Sequence, residues 1–194
     1  MQPVVGERGV RAAVQHVYRD GDDERESADQ LADVMGVVRV LHLGRGFLPS
    51  EAEWEYAAAG GNHQLEYPWG NPASSSTTDP GTANQYAIYN CDPSGSVTCS
   101  GVAHIAPVGF ASLGVGTWGQ LDLAGEVFEW NLDWYASPYA DPCTDCACVT
   151  STSYRVIRGG SFLDPGSLML PPSRYFNPPS NRDLGVGFRC ARAP

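Results

Sequence analysis

The chain has 194 residues and a net charge of −10, from 22 acidic against 12 basic residues, every basic one being arginine. The length suits one domain with a real core, and no basic patch is visible to replace the counterions of a phosphate backbone, which excludes nucleic-acid partners from the expected functions. No apolar run approaches membrane-spanning length, and the N-terminus lacks the basic-then-apolar pattern of a signal peptide.

Residues 1–46 contain no Trp, Cys, Phe, Asn, Thr or Ile, whereas all five Trp, all six Cys and all six Phe lie after Gly46. Within the first part, Ser27-x-x-Gln30 is a capping-box pattern, and Leu31, Val34, Met35 and Val38 follow at helical spacing, which predicts a helix there. Next comes "FLPSEAEWEYAAAGG", Phe47 to Gly61. Pro49 suits a first helical turn, Glu51, Glu53 and Glu55 favour the positive end of the helix dipole, and Gly60-Gly61 is a stop. A helix is expected over about Ser50 to Ala59, with Trp54, Ala57 and Ala58 inward and the glutamates facing water.

Beyond Gly61 the chain breaks into short runs. "YPWGNPASSSTTDPG" reads as loop and "HIAPVGFASLGVGTWG" as a glycine-rich connection, while "YRVIRGGSF" and "VGFRCAR" read as strands. Six cysteines in a chain rich in Gly, Pro, Tyr and Trp point to an oxidising, extracytoplasmic or secreted setting, in tension with the missing signal peptide. Cys91 and Cys99 bracket a loop short enough for a local bridge, and Cys143 with Cys146 can close another. Cys143-x-x-Cys146-x-Cys148 also looks like half a zinc site, but no second pair stands at ligand spacing.

Few segments carry a chemical signature. Gly114 to Gly119 matches G-x-G-x-x-G without the strand before it or the long helix after it that a dinucleotide site needs. The histidines, His16, His42, His63 and His104, form no i,i+4 pair, and Ser161 lacks the nucleophile elbow. In "DLAGEVFEW", Asp122, Glu126 and Glu129 place hard oxygens in a glycine-containing loop, where the carbonyls of Gly125 and Val127 can join two carboxylates around calcium. Taken alone, that spacing also describes a solvated turn.

Five segments, "FLPSEAEWEYAAAGG", "YPWGN", "GQLDLAGEVFEWNLDWY", "RVIRGGSF" and "VGFRCAR", stand in the order and approximate spacing of the formylglycine-generating enzyme (sulfatase-modifying factor) family. The resemblance covers 46–194 and implies an α+β, C-type-lectin-like fold, loop-rich, with sparse regular secondary structure and an incomplete N-terminal part. It implies calcium at Asp122, Gly125, Val127 and Glu129, with Asn84 as a weaker further ligand. The family oxidises a sulfatase cysteine to Cα-formylglycine with Cu(I) held by two cysteines shortly after Gly-Gly-Ser. By position those cysteines fall at Asp164 and Met169, and a carboxylate with a thioether cannot reproduce a bis-thiolate copper site. Copper is therefore not expected, and a related histidine-bound iron lacks support because no histidine follows His104.

What the resemblance leaves is a groove wall of Ser161, Arg174, Tyr175, Asn177 and Arg182, with Arg174 and Arg182 equally readable as structural ion-pair partners. It also leaves Cys190 without its family partner, whose position is taken by Leu41. Family members precede the quoted helix with a pattern such as Phe-Cys-Ile-Trp-Asp-Gly-Gly. GC-rich codons for that pattern, read one nucleotide out of phase, give Leu-His-Leu-Gly-Arg, which stands here at Leu41 to Arg45. Residues 1–45 are thus expected to be an out-of-frame reading, with a divergent helical segment as the alternative. The expected function is a diverged, non-catalytic member binding a peptide or protein ligand. The alternative is an active protein-cysteine oxidase using another metal site.

Overall fold

The computed structural model describes the backbone of residues 15–16 and residues 46–71, 85–90, 105–139 and 147–191. The predicted helix at 27–38, Leu41, Asn84, Cys91, Cys99, Cys143 and Cys146 lie outside the described residues.

Helix α1 spans Glu51–Ala58. Ser50 caps it: its hydroxyl accepts from the Glu53 backbone N–H, and the Glu53 carboxylate takes the Ser50 N–H at 2.8 Å, a complete capping box. Gly60 and Gly61, at φ 64° and 66°, end the run as expected. One expectation fails. Glu51 is buried, not solvated. It shares the face of Trp54 and Ala58 by i, i+3, i+7 spacing, and the sheet beneath that face presents arginines.

The sheet among the described residues contains β1 (Gln15–His16), β2 (Phe128–Trp134), β3 (Arg155–Arg158), β4 (Arg174–Asn177) and β5 (Val186–Arg189), in the order β1-β5-β2-β3-β4. β5 runs parallel to β2, and the other pairs are antiparallel. β3 and β5 fall within the two segments read as strands. Strand alternation separates the faces of β2. Phe128 and Trp130 join Leu48, Ile157 and Phe188 in one apolar cluster. Glu129 points instead toward α1, where Trp54, Ala58 and Leu123 form a smaller cluster. Burying a large apolar side chain such as Trp54, 1% exposed, contributes roughly 1.5–3 kcal/mol.

Two glycines fix how the loops meet this frame. Gly125, at φ 76°, bridges Ile88, and a Cβ there would stand 2.2 Å from the Ile88 carbonyl oxygen. Gly160, at φ 74°, lies under Met169, whose Cε would be 2.4 Å from a Cβ. Among the described residues, no helix is long and apolar enough to cross a membrane.

Candidate functional site

The segment leaving β3 builds the first part of the site. Gly159 and Gly160 both take positive φ and reverse the chain into Ser161, which is buried. The Asp164 carboxylate accepts from the Ser161 backbone N–H at 3.0 Å and from the Ser161 hydroxyl, while the Asp164 N–H returns to the Ser161 carbonyl at 3.0 Å. Asp164 is thus the internal cap of this turn. Met169 ends a short 3-10 turn, Gly166–Met169, and is fully buried against Ala87, Tyr89 and Ala124.

Arg174, on β4, is locked from every side. Its guanidinium donates to both oxygens of Glu51 at 2.6 and 2.8 Å and to the Ala136 carbonyl at 2.7 Å. The Tyr139 and Tyr135 rings lie 3.9 and 4.6 Å from its Cζ. Burial opposes its charge, but the hydrogen bond and charge of Glu51 outweigh that and raise its pKa. Arg158, opposite Arg174 across the β3–β4 ladder, pairs with Glu55 and lies 3.4 Å from Glu51. Of the two readings open for Arg174, the geometry is that of a structural ion pair tying α1 to the sheet.

Tyr175 is half exposed and stacks against Phe128 and Phe176, at 5.7 and 5.5 Å between ring centres. Asn177 accepts from the Asn181 side chain at 2.9 Å, and Arg182 is exposed on the loop leading to β5. Ser161 and Arg174 are thus engaged by partners inside the fold, while Tyr175 presents a half-exposed ring. Sequence reasoning missed Glu51, Tyr135 and Tyr139 as the partners of Arg174; for Glu51 the signal was its helical register with Trp54.

The calcium candidates lie in the loop that leads into β2 and at the start of that strand, where Glu129 meets Trp54 of α1. Asp122 and Glu126, at φ 57° and 66°, roll the loop together with Gly125. Asp122 accepts from the Gly109 N–H at 2.6 Å, and burial raises its pKa. Its carbonyl and that of Leu121 accept from Arg189 at 3.0 and 3.1 Å. Glu129, fully buried, already binds a cation of the chain's own: both its oxygens accept from Arg189, and one also accepts from the Trp54 indole at 2.6 Å. Around this loop the Asp122 carboxylate is engaged by the Gly109 N–H and the Leu121 and Asp122 carbonyls by Arg189, and Glu129 can meet a cation only by sharing its carboxylate with Arg189. Among the described residues, no three His, Cys, Asp or Glu side chains gather as a metal site. Cys148 and Cys190 are free thiols, and burial raises the Cys190 pKa.

Residues 26–194 match the sulfatase-modifying factor enzyme 1-like domain. The chain belongs to this family. It is 35% identical over 157 residues to a formylglycine-generating enzyme of Thermomonospora curvata, covering 76% of this chain and 49% of that protein. It is 32% identical over 149 residues to the inactive C-alpha-formylglycine-generating enzyme 2 of Bos taurus, covering 74% and 43%. The chain thus spans about half the length of the curated relatives it matches. Among solved structures it is similar to Treponema denticola variable protein 1, with a TM-score of 0.56 and 31% identity over 77% of this chain and 48% of that one. PvdO from Pseudomonas aeruginosa shares the fold, with a TM-score of 0.67 and 24% identity over 84% and 60%. The α+β, loop-rich, formylglycine-generating-enzyme-like fold expected from the sequence is the one observed. The sulfatase-modifying factor match begins before the compositional change at Gly46.

Proposed function

We propose that this sulfatase-modifying-factor-like domain is a diverged, non-catalytic member that binds a peptide or protein ligand at the groove beside β4, with calcium as a structural ion on the Asp122, Gly125 and Val127 side of its loop. One observation carries the reading: the two positions where the family resemblance puts the copper cysteines have structural work of their own. Asp164 caps the Ser161 turn, and Met169 is sealed in the core over Gly160. Soft thiolate pairs select Cu(I), and neither a capping carboxylate nor a buried thioether substitutes for them. A relative described as inactive stands at 32% identity beside an enzyme at 35%, so the degree of similarity does not favour activity.

The test incubates purified, copper-loaded protein with a peptide carrying the sulfatase cysteine motif and reads the mass change from thiol to aldehyde. No conversion is expected. Conversion abolished by chelating copper or by replacing Cys143, Cys146 and Cys148 overturns the proposal in favour of an oxidase with another metal site.

A further inference from the structure

We propose that the Arg189 guanidinium is the resident cation of the loop that leads into β2. It fills from within the chain the place at Glu129 and the loop carbonyls that a divalent ion would otherwise take, so Glu129 is the anchor of Arg189 and not a calcium ligand. β5 runs parallel to β2 with Gly187 opposite Glu129. Arg189 stands two residues further along β5, on the same face, which brings its side chain to that carboxylate.

The guanidinium collects four oxygens. Its Nε donates to Glu129 Oε2 at 2.5 Å and its Nη2 to Glu129 Oε1 at 2.6 Å, and Nη2 also reaches the Leu121 and Asp122 carbonyls at 3.1 and 3.0 Å. Carboxylate and backbone carbonyl are the oxygens that calcium itself selects. Glu129 Oε2 is taken a second time, by the Trp54 indole at 2.6 Å. The side chains of Arg189 and Glu129 are 5% and 1% exposed, so water screens little between them and any further charge. A divalent ion at Glu129 would face a fixed positive charge that cannot shed its proton.

Unlike an ion, a guanidinium cannot leave. Arg189 therefore holds the loop, β2 and Trp54 of α1 in one arrangement at any metal concentration. Asp122 is not part of this clamp through its side chain, whose carboxylate accepts from the Gly109 N–H. Calcium on the Asp122, Gly125 and Val127 side and the role of Arg189 are thus separate claims.

The experiment titrates calcium into the full chain and into Arg189→Met, Arg189→Lys, Glu129→Gln and the double variant Glu129→Gln with Arg189→Met, reading affinity by calorimetry and the melting temperature with and without chelator. Arg189→Met frees the four oxygens and should bind calcium about tenfold or more tightly than the parent, with calcium restoring melting temperature that the variant loses in chelator. Arg189→Lys keeps the charge but replaces the fork by a single nitrogen, so it should show the same gain to a smaller degree, and it carries the test if Arg189→Met does not fold. The double variant should lose the gain, and Glu129→Gln alone should leave the parent's calcium affinity unchanged. Calcium affinity that fails to rise in either single Arg189 variant overturns the inference, as does a gain that survives in the double variant or a parent affinity that collapses in Glu129→Gln. A parent that binds no calcium removes the structural ion proposed above, while binding gained in Arg189→Met still supports the clamp.

Discussion

Glu129 and Arg189 are 1% and 5% exposed at the side chain and bind each other through two hydrogen bonds. Removing one partner leaves a buried charge uncompensated, so Glu129→Gln should cost about 3–5 kcal/mol in urea unfolding. The double variant Glu129→Gln with Arg189→Met should cost less than the sum of the singles, a coupling that a double-mutant cycle reads directly. Asp122 makes the opposite kind of prediction. Burial raises its pKa in the folded state. A carboxyl with a raised folded-state pKa takes up protons more readily folded than unfolded, so its contribution grows as pH falls through that raised value and is complete below about 3.9. In metal-free buffer, Asp122→Asn should therefore gain stability relative to the parent at pH 7 and lose that advantage toward pH 4. A constant difference across that range would count against the burial argument.

At the scale of elements, α1 is held by its cap and by the charged face it buries. Ser50→Ala removes the cap acceptor and should cost about 1 kcal/mol by denaturant midpoint. The Asp122–Glu129 loop is held by backbone geometry. Gly119 and Gly125 both take positive φ, but a Cβ at Gly119 meets nothing within 4 Å, whereas one at Gly125 strikes the Ile88 carbonyl. Gly119→Ala should thus cost about 1–2 kcal/mol, the left-handed penalty alone. Gly125→Ala should cost clearly more, because backbone must move, and equal melting temperatures for the two variants would refute the close approach.

For the whole molecule, the measurable question is whether calcium is part of the native state. An ion bound only by the folded chain stabilises it by mass action, about 2.7 kcal/mol at a hundred times its Kd. Calcium should raise the melting temperature and chelator lower it, with the response weakened in Asp122→Asn. An unchanged melting curve in chelator, with no calcium found by metal analysis, would remove the ion from the proposal.

The sequence by itself determined the family, the sparse α+β fold and the limits of α1, because ordered motifs, caps and glycine stops are local or colinear signals. It also raised the expectation, from the family resemblance, that Asp164 and Met169 stand where the family's copper cysteines would be, which the copper-loading assay tests. Only the tertiary structure decided what the charged residues do. Glu51 looked solvated because its neighbours Glu53 and Glu55 are acidic too, yet its partners Arg158 and Arg174 are more than a hundred positions away and reach it only after β3 and β4 have paired. Glu129 looked like a free ligand until β5 brought Arg189 beside it. Partner choice for a buried charge depends on which strands become neighbours, and sheet order is not a local property of the chain.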